Sequence, residues 1–140
     1  VRTNLIVGFP GEIQPHVAEL ERFPTAARLD AVGVFGYSDE EGIEAADLPD
    51  KVPDDEIAAR VERVTALAEE LIAQRAEDRR GETVAVLVEA MAVEGAEGRA
   101  EHQAPEVDGS VLIRGLTETS VGSIVTGVVV GSDGADLVAE

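Results

Sequence analysis

The first third of the chain alternates between short apolar runs and helical spacing. Residues 4–7 have the pattern of a strand that ends in the turn Gly8-Phe9-Pro10-Gly11, and residues 31–37 have the pattern of a second strand. Between them, Pro15 suits the first turn of a helix, and we expect Pro24 to stop it. A strand, a helix and a strand in this order predict a βαβ unit with a parallel strand pair.

The middle of the chain carries the pattern of one long helix. Apolar residues at Ile57, Val61 and Val64 are spaced by three and four, and the pattern runs from residue 53 or 54 to about Arg79. Acidic side chains crowd its beginning and arginines its end, which suits the helix dipole. We expect its apolar stripe to pack against the elements on either side, although a dimer interface is an alternative.

The last 59 or so residues are β-branched runs separated by turn-forming stretches, a pattern typical of a small OB-like barrel. The sequence therefore divides into residues 1–52, a connecting helix at 53–81 and a barrel domain at 82–140. The five predicted strands lie at 83–88, near 99–103, and at 110–114, 123–130 and 135–139.

Charge and cysteine content narrow the function classes. The formal net charge is −18, which attracts basic proteins and repels phosphate backbones, although acidity also serves solubility alone. The absence of cysteine excludes disulfides, a thiolate nucleophile and thiolate-held clusters in this chain. Because we find neither a membrane-spanning apolar run nor a signal-peptide pattern, we expect a cytoplasmic protein with no membrane partner.

Three ordered motifs carry a family resemblance. They are Ile6-Val7-Gly8-Phe9-Pro10-Gly11-Glu12, Val32-Gly33-Val34-Phe35-Gly36-Tyr37-Ser38 and Leu48-Pro49-Asp50-Lys51-Val52-Pro53. Their order and spacing resemble the late strands of the radical S-adenosylmethionine (SAM) core in methylthiotransferases. The resemblance implies an α/β fragment of a partial TIM-like barrel, the long connecting helix, and then an all-β barrel.

The tail extends the resemblance. Gly98-Arg99, Ala104-Pro105-Glu106-Val107-Asp108-Gly109 and Asp136-Leu137-Val138 are similar to the OB-like TRAM domain that ends these enzymes. The form of the first two is similar to the branch that methylthiolates an aspartate of a small-subunit ribosomal protein, the RimO family. Since the chain opens on Val1-Arg2-Thr3 at the edge of a strand, we expect that an upstream region belongs to the parent enzyme.

The resemblance also implies a chemistry. The parent enzyme would use SAM and two [4Fe–4S] clusters to form a radical, abstract hydrogen from the aspartate and insert sulfur with methylation. This chain has no cluster ligands and no catalytic residue, so we expect it to be inactive alone. Each position in the expected cofactor-binding set has the alternative role of a core or turn residue. That set is Val7, Gly8, Phe9, Phe35, Gly36 and Tyr37.

The partner is inferred from charge. Residues 82–140 contain eleven acidic side chains and only two basic ones, Arg99 and Arg114. We therefore expect a basic small-subunit ribosomal protein as the partner and no RNA binding by the barrel. Glu106 and Asp108, expected at an exposed turn, are the predicted substrate-binding residues, although this turn has the alternative role of fixing the barrel's geometry.

Two alternative functions are also consistent with the sequence. A transfer-RNA methylthiotransferase of the same family is one alternative, and a stand-alone OB-like binding module is another. The two histidines, His16 and His102, lie in different segments, and we expect both to be exposed and without a metal. The acids from Asp39 to Glu44 are interpreted as a solvated loop.

Overall fold

The computed structural model describes residues 2–104 and 108–140, and its first part is a βαβ unit followed by a long helix. The two strands are parallel, with Arg2 opposite Ala31 and Val7 opposite Gly36, which confirms the predicted pairing. The elements are β1 (Arg2–Val7), α1 (Gln14–Ala27), β2 (Ala31–Gly36), a 3₁₀ turn (Glu44–Asp47) and α2 (Asp54–Asp78).

The two faces of the β1–β2 sheet differ. Leu5 and Val7 point to the helices and form a buried cluster with Val17 of α1 and Val64 of α2. The opposite face is open to solvent, because Ile6 and its strand partner Phe35 are 60% and 54% exposed. Only one side of this small sheet is therefore covered within the chain.

The prediction that Pro24 stops the first helix is wrong. Pro24 is buried inside α1, which continues to Ala27 and ends at Arg28 in the left-handed region, with φ +51°. A proline cannot donate to the carbonyl four residues earlier, but here it removes a bond only in the last turn. The hydroxyl of Thr25 donates to the carbonyl of Glu21, four residues earlier, at 3.2 Å.

The second part is a closed barrel with strand order β3-β4-β5-β7-β6, as expected for an OB-like fold. All neighbouring strands are antiparallel except β5 and β7. Fully buried aliphatic side chains such as Val86 and Leu137 fill the interior. The strands are β3 (Thr83–Ala92), β4 (Gly95–Ala100), β5 (Val111–Arg114), β6 (Ile124–Asp133) and β7 (Asp136–Ala139).

Strand β4 lies earlier than the strand predicted near 99–103. It contains Gly95 and Gly98, and no β-branched residue. Added Cβ atoms there would collide with the carbonyl oxygens of Ile113 and Leu87, so neighbouring strands approach this one too closely for side chains. Close backbone packing therefore determines the position of this strand, and the pattern of apolar residues gives no signal of it.

Helix α2 joins the two parts, as the apolar stripe predicted. Val64 belongs to the cluster under the β1–β2 sheet, and Ala76 belongs to the core of the barrel. Near its end, Arg79 forms an ion pair with Asp30 at 2.5 Å, and Glu77 accepts from the hydroxyl of Ser132 at 2.8 Å. Within the described ranges no helix has the length and apolar content needed to cross a membrane.

The contact between α2 and the barrel can be tested by substitution. We expect Ala76→Gln to lower the free energy of unfolding by about 2 kcal/mol, because a longer polar side chain must enter a packed core. Ala66→Gln makes the same change at an exposed position of α2 and should cost less than about 0.5 kcal/mol. Urea unfolding followed by circular dichroism measures both, and equal losses would contradict this packing.

Candidate functional site

The carboxyl ends of β1 and β2 lie side by side, where open parallel sheets bind ligands. Phe9 follows β1 and Tyr37 follows β2, and their rings meet edge to face with centroids 5.5 Å apart. The Tyr37 N–H donates to the carbonyl of Val7 at 2.8 Å, so the ladder extends past the end of the strands. We call Phe9, Tyr37 and the exposed Phe35 the aromatic edge. Ile6, the strand partner of Phe35, is also exposed.

The turn after β1 requires glycine at its first position. Gly8 has φ +84°, and a Cβ there would stand 2.5 Å from Cγ1 of Ile57 on α2. Its N–H donates to a carboxylate oxygen of Glu12 at 2.9 Å. Glu12 thus folds the turn back on itself and fixes the position of Phe9 within it.

Arg60 of α2 holds this turn from beneath. Its guanidinium is buried and donates from Nη1 to the carboxylate of Glu12 at 2.8 Å and to the Glu12 carbonyl at 3.2 Å. Its Nε donates to Glu56 one turn earlier on the helix, at 3.0 Å. The role of Arg60 was not predicted from the sequence. A charged residue between Ile57 and Val64, on the apolar stripe of the helix, could have indicated a buried ion pair.

Tyr37 is also held from the other side of the edge. Its hydroxyl donates to Oδ1 of Asp39 at 2.7 Å, and Lys51 donates to Oδ2 of Asp39 at 2.5 Å. Partial burial and the hydrogen bond to Asp39 raise the pKa of Tyr37 to about 12. The hydrogen bond from Lys51 lowers the pKa of Asp39, so this carboxylate stays charged and the phenol stays neutral. A cleft of about 530 Å³ lies beside these residues.

The six residues expected to contact a cofactor divide into two groups. Phe9, Phe35 and Tyr37 lie along the aromatic edge, and Gly36 is exposed beside them. By contrast, Val7 is fully buried against the helices, and Gly8 is buried against Ile57. The side chain of Val7 belongs to the core, which is the alternative role noted above, and contact of the six positions with a cofactor stays a prediction.

The exposed turn expected at Glu106 and Asp108 also needs a correction. Glu106 lies outside the described residues. The side chain of Asp108 is only 8% exposed, and it binds Nη1 of Arg2 at 2.8 Å and accepts from the N–H of Ala104 at 2.9 Å. Asp108 therefore ties the barrel to β1 and fixes its own loop, and its carboxylate is not presented to a partner.

The aromatic edge fits one wall of a nucleoside pocket, because flat bases stack on exposed rings such as those of Phe9 and Phe35. The side chains present do not fit an iron–sulfur cluster, since the chain has no thiolate. Among the described residues no group of three or more His, Cys, Asp or Glu is placed to hold a metal ion.

The histidines differ from each other. His16 is exposed, as expected, and its Nδ1 accepts from the N–H of Ile13 at 3.2 Å. His102 is half-buried at the junction of the two parts, where burial and the charge of Arg79 lower its pKa. The expectation of full exposure is therefore wrong for His102, which faces a cleft that also contains Asp30 and Glu82.

Comparison with known proteins gives consistent matches. Residues 81–140 match the family model of the TRAM domain. The whole chain is 63% identical to a "Ribosomal protein uS12 methylthiotransferase RimO" of Streptomyces avermitilis and 58% identical to that of Streptomyces coelicolor. A protein of the same description from Saccharopolyspora erythraea is 56% identical over 99% of the chain. The chain spans only 28–29% of the length of these curated relatives.

The support that Arg60 gives to the turn is testable. We expect Arg60→Met to lower the free energy of unfolding by about 3 kcal/mol, because it leaves the carboxylate of Glu12 partly buried without its partner. Arg63→Met is the matched control on the same helix. Arg63 also pairs with a glutamate of α1, Glu21, but it is 53% exposed, so its loss should cost at most about 1 kcal/mol.

Urea unfolding measures both variants, and hydrogen exchange at the Gly8 amide provides a local measurement. Arg60→Met should also accelerate exchange at Gly8, whereas Arg63→Met should not. If both variants lose the same stability and leave Gly8 equally protected, then Arg60 does not hold the turn.

The state of Tyr37 can be measured directly because it is the only tyrosine in the chain. With its pKa raised to about 12, Tyr37 should remain largely neutral at pH 10.5. Asp39→Asn removes the negative charge that opposes ionisation, so it should increase the tyrosinate fraction at this pH. Ultraviolet difference absorbance measures tyrosinate, and Glu40→Gln is the control. A half-ionised wild-type Tyr37 at pH 10 in the folded protein would contradict the hydrogen bond.

Proposed function

Because the chain belongs by sequence to the family of ribosomal protein uS12 methylthiotransferases, matching their C-terminal part, we propose that it works as this part of such an enzyme. The observation that carries the proposal is high identity over the whole chain to several relatives with this one description. The TRAM match and the closed five-stranded barrel agree with it. The activity and the substrate belong to the longer protein.

In this proposal β1, α1 and β2 are the last strand–helix units of a radical SAM core. The open face of the sheet, with Ile6 and Phe35, would face the inside of a partial barrel whose other strands come from the remainder of the enzyme. The half-covered sheet supports this placement, since a two-stranded sheet is marginal alone. The aromatic edge would then be part of the wall of the cofactor pocket.

Each residue of the edge has a defined task toward SAM. Phe9, Phe35 and Tyr37 would contact the adenine and ribose and exclude water, while Gly36 lets α2 pack closely against the other face of β2 through Ile57 and Val61. Glu12 and Arg60 act through the turn and keep Phe9 in place. When bound in the parent enzyme, SAM supplies the radical and the methyl group. The two [4Fe–4S] clusters need thiolates, which this chain does not contain, so no chemical step is assigned to its side chains.

The barrel would bind the substrate protein. Its balance of eleven acids against two bases favours a basic ribosomal protein by electrostatic complementarity. The same balance disfavours transfer RNA, because binding to phosphates needs clustered Lys and Arg. A stand-alone module is disfavoured by the identity to enzymes that continues through the βαβ unit.

The proposal is tested by exchanging this chain into a full-length relative. A chimera that carries residues 1–140 in place of the corresponding part of the Streptomyces avermitilis enzyme should methylthiolate uS12 in vitro. Mass spectrometry of uS12 should find the added methylthio group on an aspartate. The control chimera, which lacks residues 81–140, should bind SAM but modify uS12 poorly.

A chimera that is folded, holds its clusters and still fails to modify uS12 would contradict the proposal. Modification of transfer RNA in place of uS12 would assign the chain to the other branch of the family.

A further inference from the structure

The outer surface of the barrel has one face that carries no charge. In the register of β3 and β6, Leu87 pairs with Ile124, and the inward neighbours Val86 and Val84 are buried. The intervening residues therefore point outward, because side chains alternate along a strand. We call these six positions the β3–β6 face: Thr83, Ala85, Leu87, Ile124, Thr126 and Val128.

Solvent exposure of this face is unusual for its composition. Ile124 is 73% exposed and Val128 is 43% exposed, although the outward positions of a solvated strand are usually polar. The chain as a whole is 29% charged, so six neighbouring uncharged side chains form a distinct patch. A shallow pocket of about 330 Å³, lined by Leu87, Ile124 and Arg99, extends the patch toward β4. Such patches mark interaction sites.

Acidic side chains stand at the borders of the face. Glu140 exchanges two backbone hydrogen bonds with Val128, and Glu101 lines the pocket beside Ile124. Among the described residues neither of these two glutamates forms an ion pair. Two arginines stand at the border, and both are already paired: Arg99 with Glu89 at 2.8 Å, and Arg79 with Asp30 and Glu82. The face is therefore uncharged, with its large aliphatic side chains at Leu87 and Ile124, and negative at its rim.

The closed barrel limits how a partner can bind. Because every strand is paired, no edge is free to accept an added strand, and a partner must use side chains on the outer surface. An uncharged face with exposed aliphatic side chains and a negative rim complements a cationic segment that also carries aliphatic side chains. RNA does not fit, because the face offers no unpaired base to its phosphates.

We propose that the β3–β6 face is the docking surface for a Lys- and Arg-rich segment of a partner protein, with aliphatic side chains on Ile124 and Leu87 and cations on Glu101 and Glu140. The identification of this partner as ribosomal protein uS12 rests on the proposed function. We place the contact on this face in preference to Asp108, whose carboxylate is paired with Arg2.

The test compares the same charge change at two places. Ile124→Lys should weaken binding of purified uS12 to this chain by ~10-fold or more, because it puts a cation beside Leu87, where the partner's aliphatic side chains are proposed to pack. Val93→Lys is the control. Val93 is fully exposed at the turn between β3 and β4, about 20 Å along the strand from the pairing partner of Ile124. It should change the affinity less than ~2-fold, since only long-range charge is altered.

Fluorescence anisotropy with labelled uS12 gives the affinities, and thermal unfolding confirms that both variants fold. Ile124→Thr is a second variant that keeps the β-branched shape and the net charge, and it should weaken binding by ~3-fold through lost apolar contact. Equal affinities of Ile124→Lys and Val93→Lys would overturn the proposal. Tight binding of transfer RNA, or an Ile124-dependent dimer of this chain, would also overturn it.

Failure of this inference is distinguishable from failure of the proposed function. If the chimera modifies uS12 and Ile124→Lys leaves its KM for uS12 unchanged, the function stands and the docking surface is wrong. If the wild-type chimera is inactive although this chain binds uS12 in an Ile124-dependent manner, the docking surface stands and the enzymatic proposal fails.

Discussion

The fold depends on one helix that two hydrophobic cores share. Helix α2 is 25 residues long, or about 38 Å, and contributes Val64 to the core under the β1–β2 sheet and Ala76 to the core of the barrel. A two-stranded sheet cannot bury enough surface by itself, so β1 and β2 depend on α2 for their stability. The barrel closes its own edges and uses the end of α2 as additional core.

Charged side chains then fix the geometry that the cores allow. Asp30 accepts from Arg75 and Arg79 where α2 meets the barrel. Burial alone would raise the pKa of Asp30, but hydrogen bonds and positive charges, including those of Arg79, outweigh it and lower the pKa to about 2. The carboxylate therefore stays charged at neutral pH, and its contribution to stability is lost only as the pH falls from about 4 to about 2. Arg2 and Asp108 make a second link between the two parts.

Much of this architecture was predictable, because regular patterns record it. The spacing of Ile57, Val61 and Val64 gave the long helix, and β-branched runs gave four of the five barrel strands. The predictions failed where a contact distant in sequence decides the outcome. Strand β4 is defined by close backbone approach at its glycines, and Asp108 is occupied by an arginine 106 residues away.

In the candidate site, too, features recorded in local motifs were predictable and features that depend on distant contacts were not. Phe9 and Tyr37 could be predicted to lie close together from their motifs, because each follows one of two parallel strands whose carboxyl ends meet at the same edge of the sheet. Arg60 was missed because its role depends on α2 packing beneath a turn 48 residues earlier. The β3–β6 face was missed because alternation identifies outward positions only when the strand register is known.

Helix α2 holds the aromatic edge and the barrel in one fixed arrangement. Because the chain has no cysteine, a single pair of spin labels can be introduced at the exposed positions Glu19 of α1 and Glu118 of the barrel. Double electron–electron resonance then measures the distance between the two parts. We expect one narrow distance distribution that does not change with salt concentration. A broad distribution in the folded chain would contradict it.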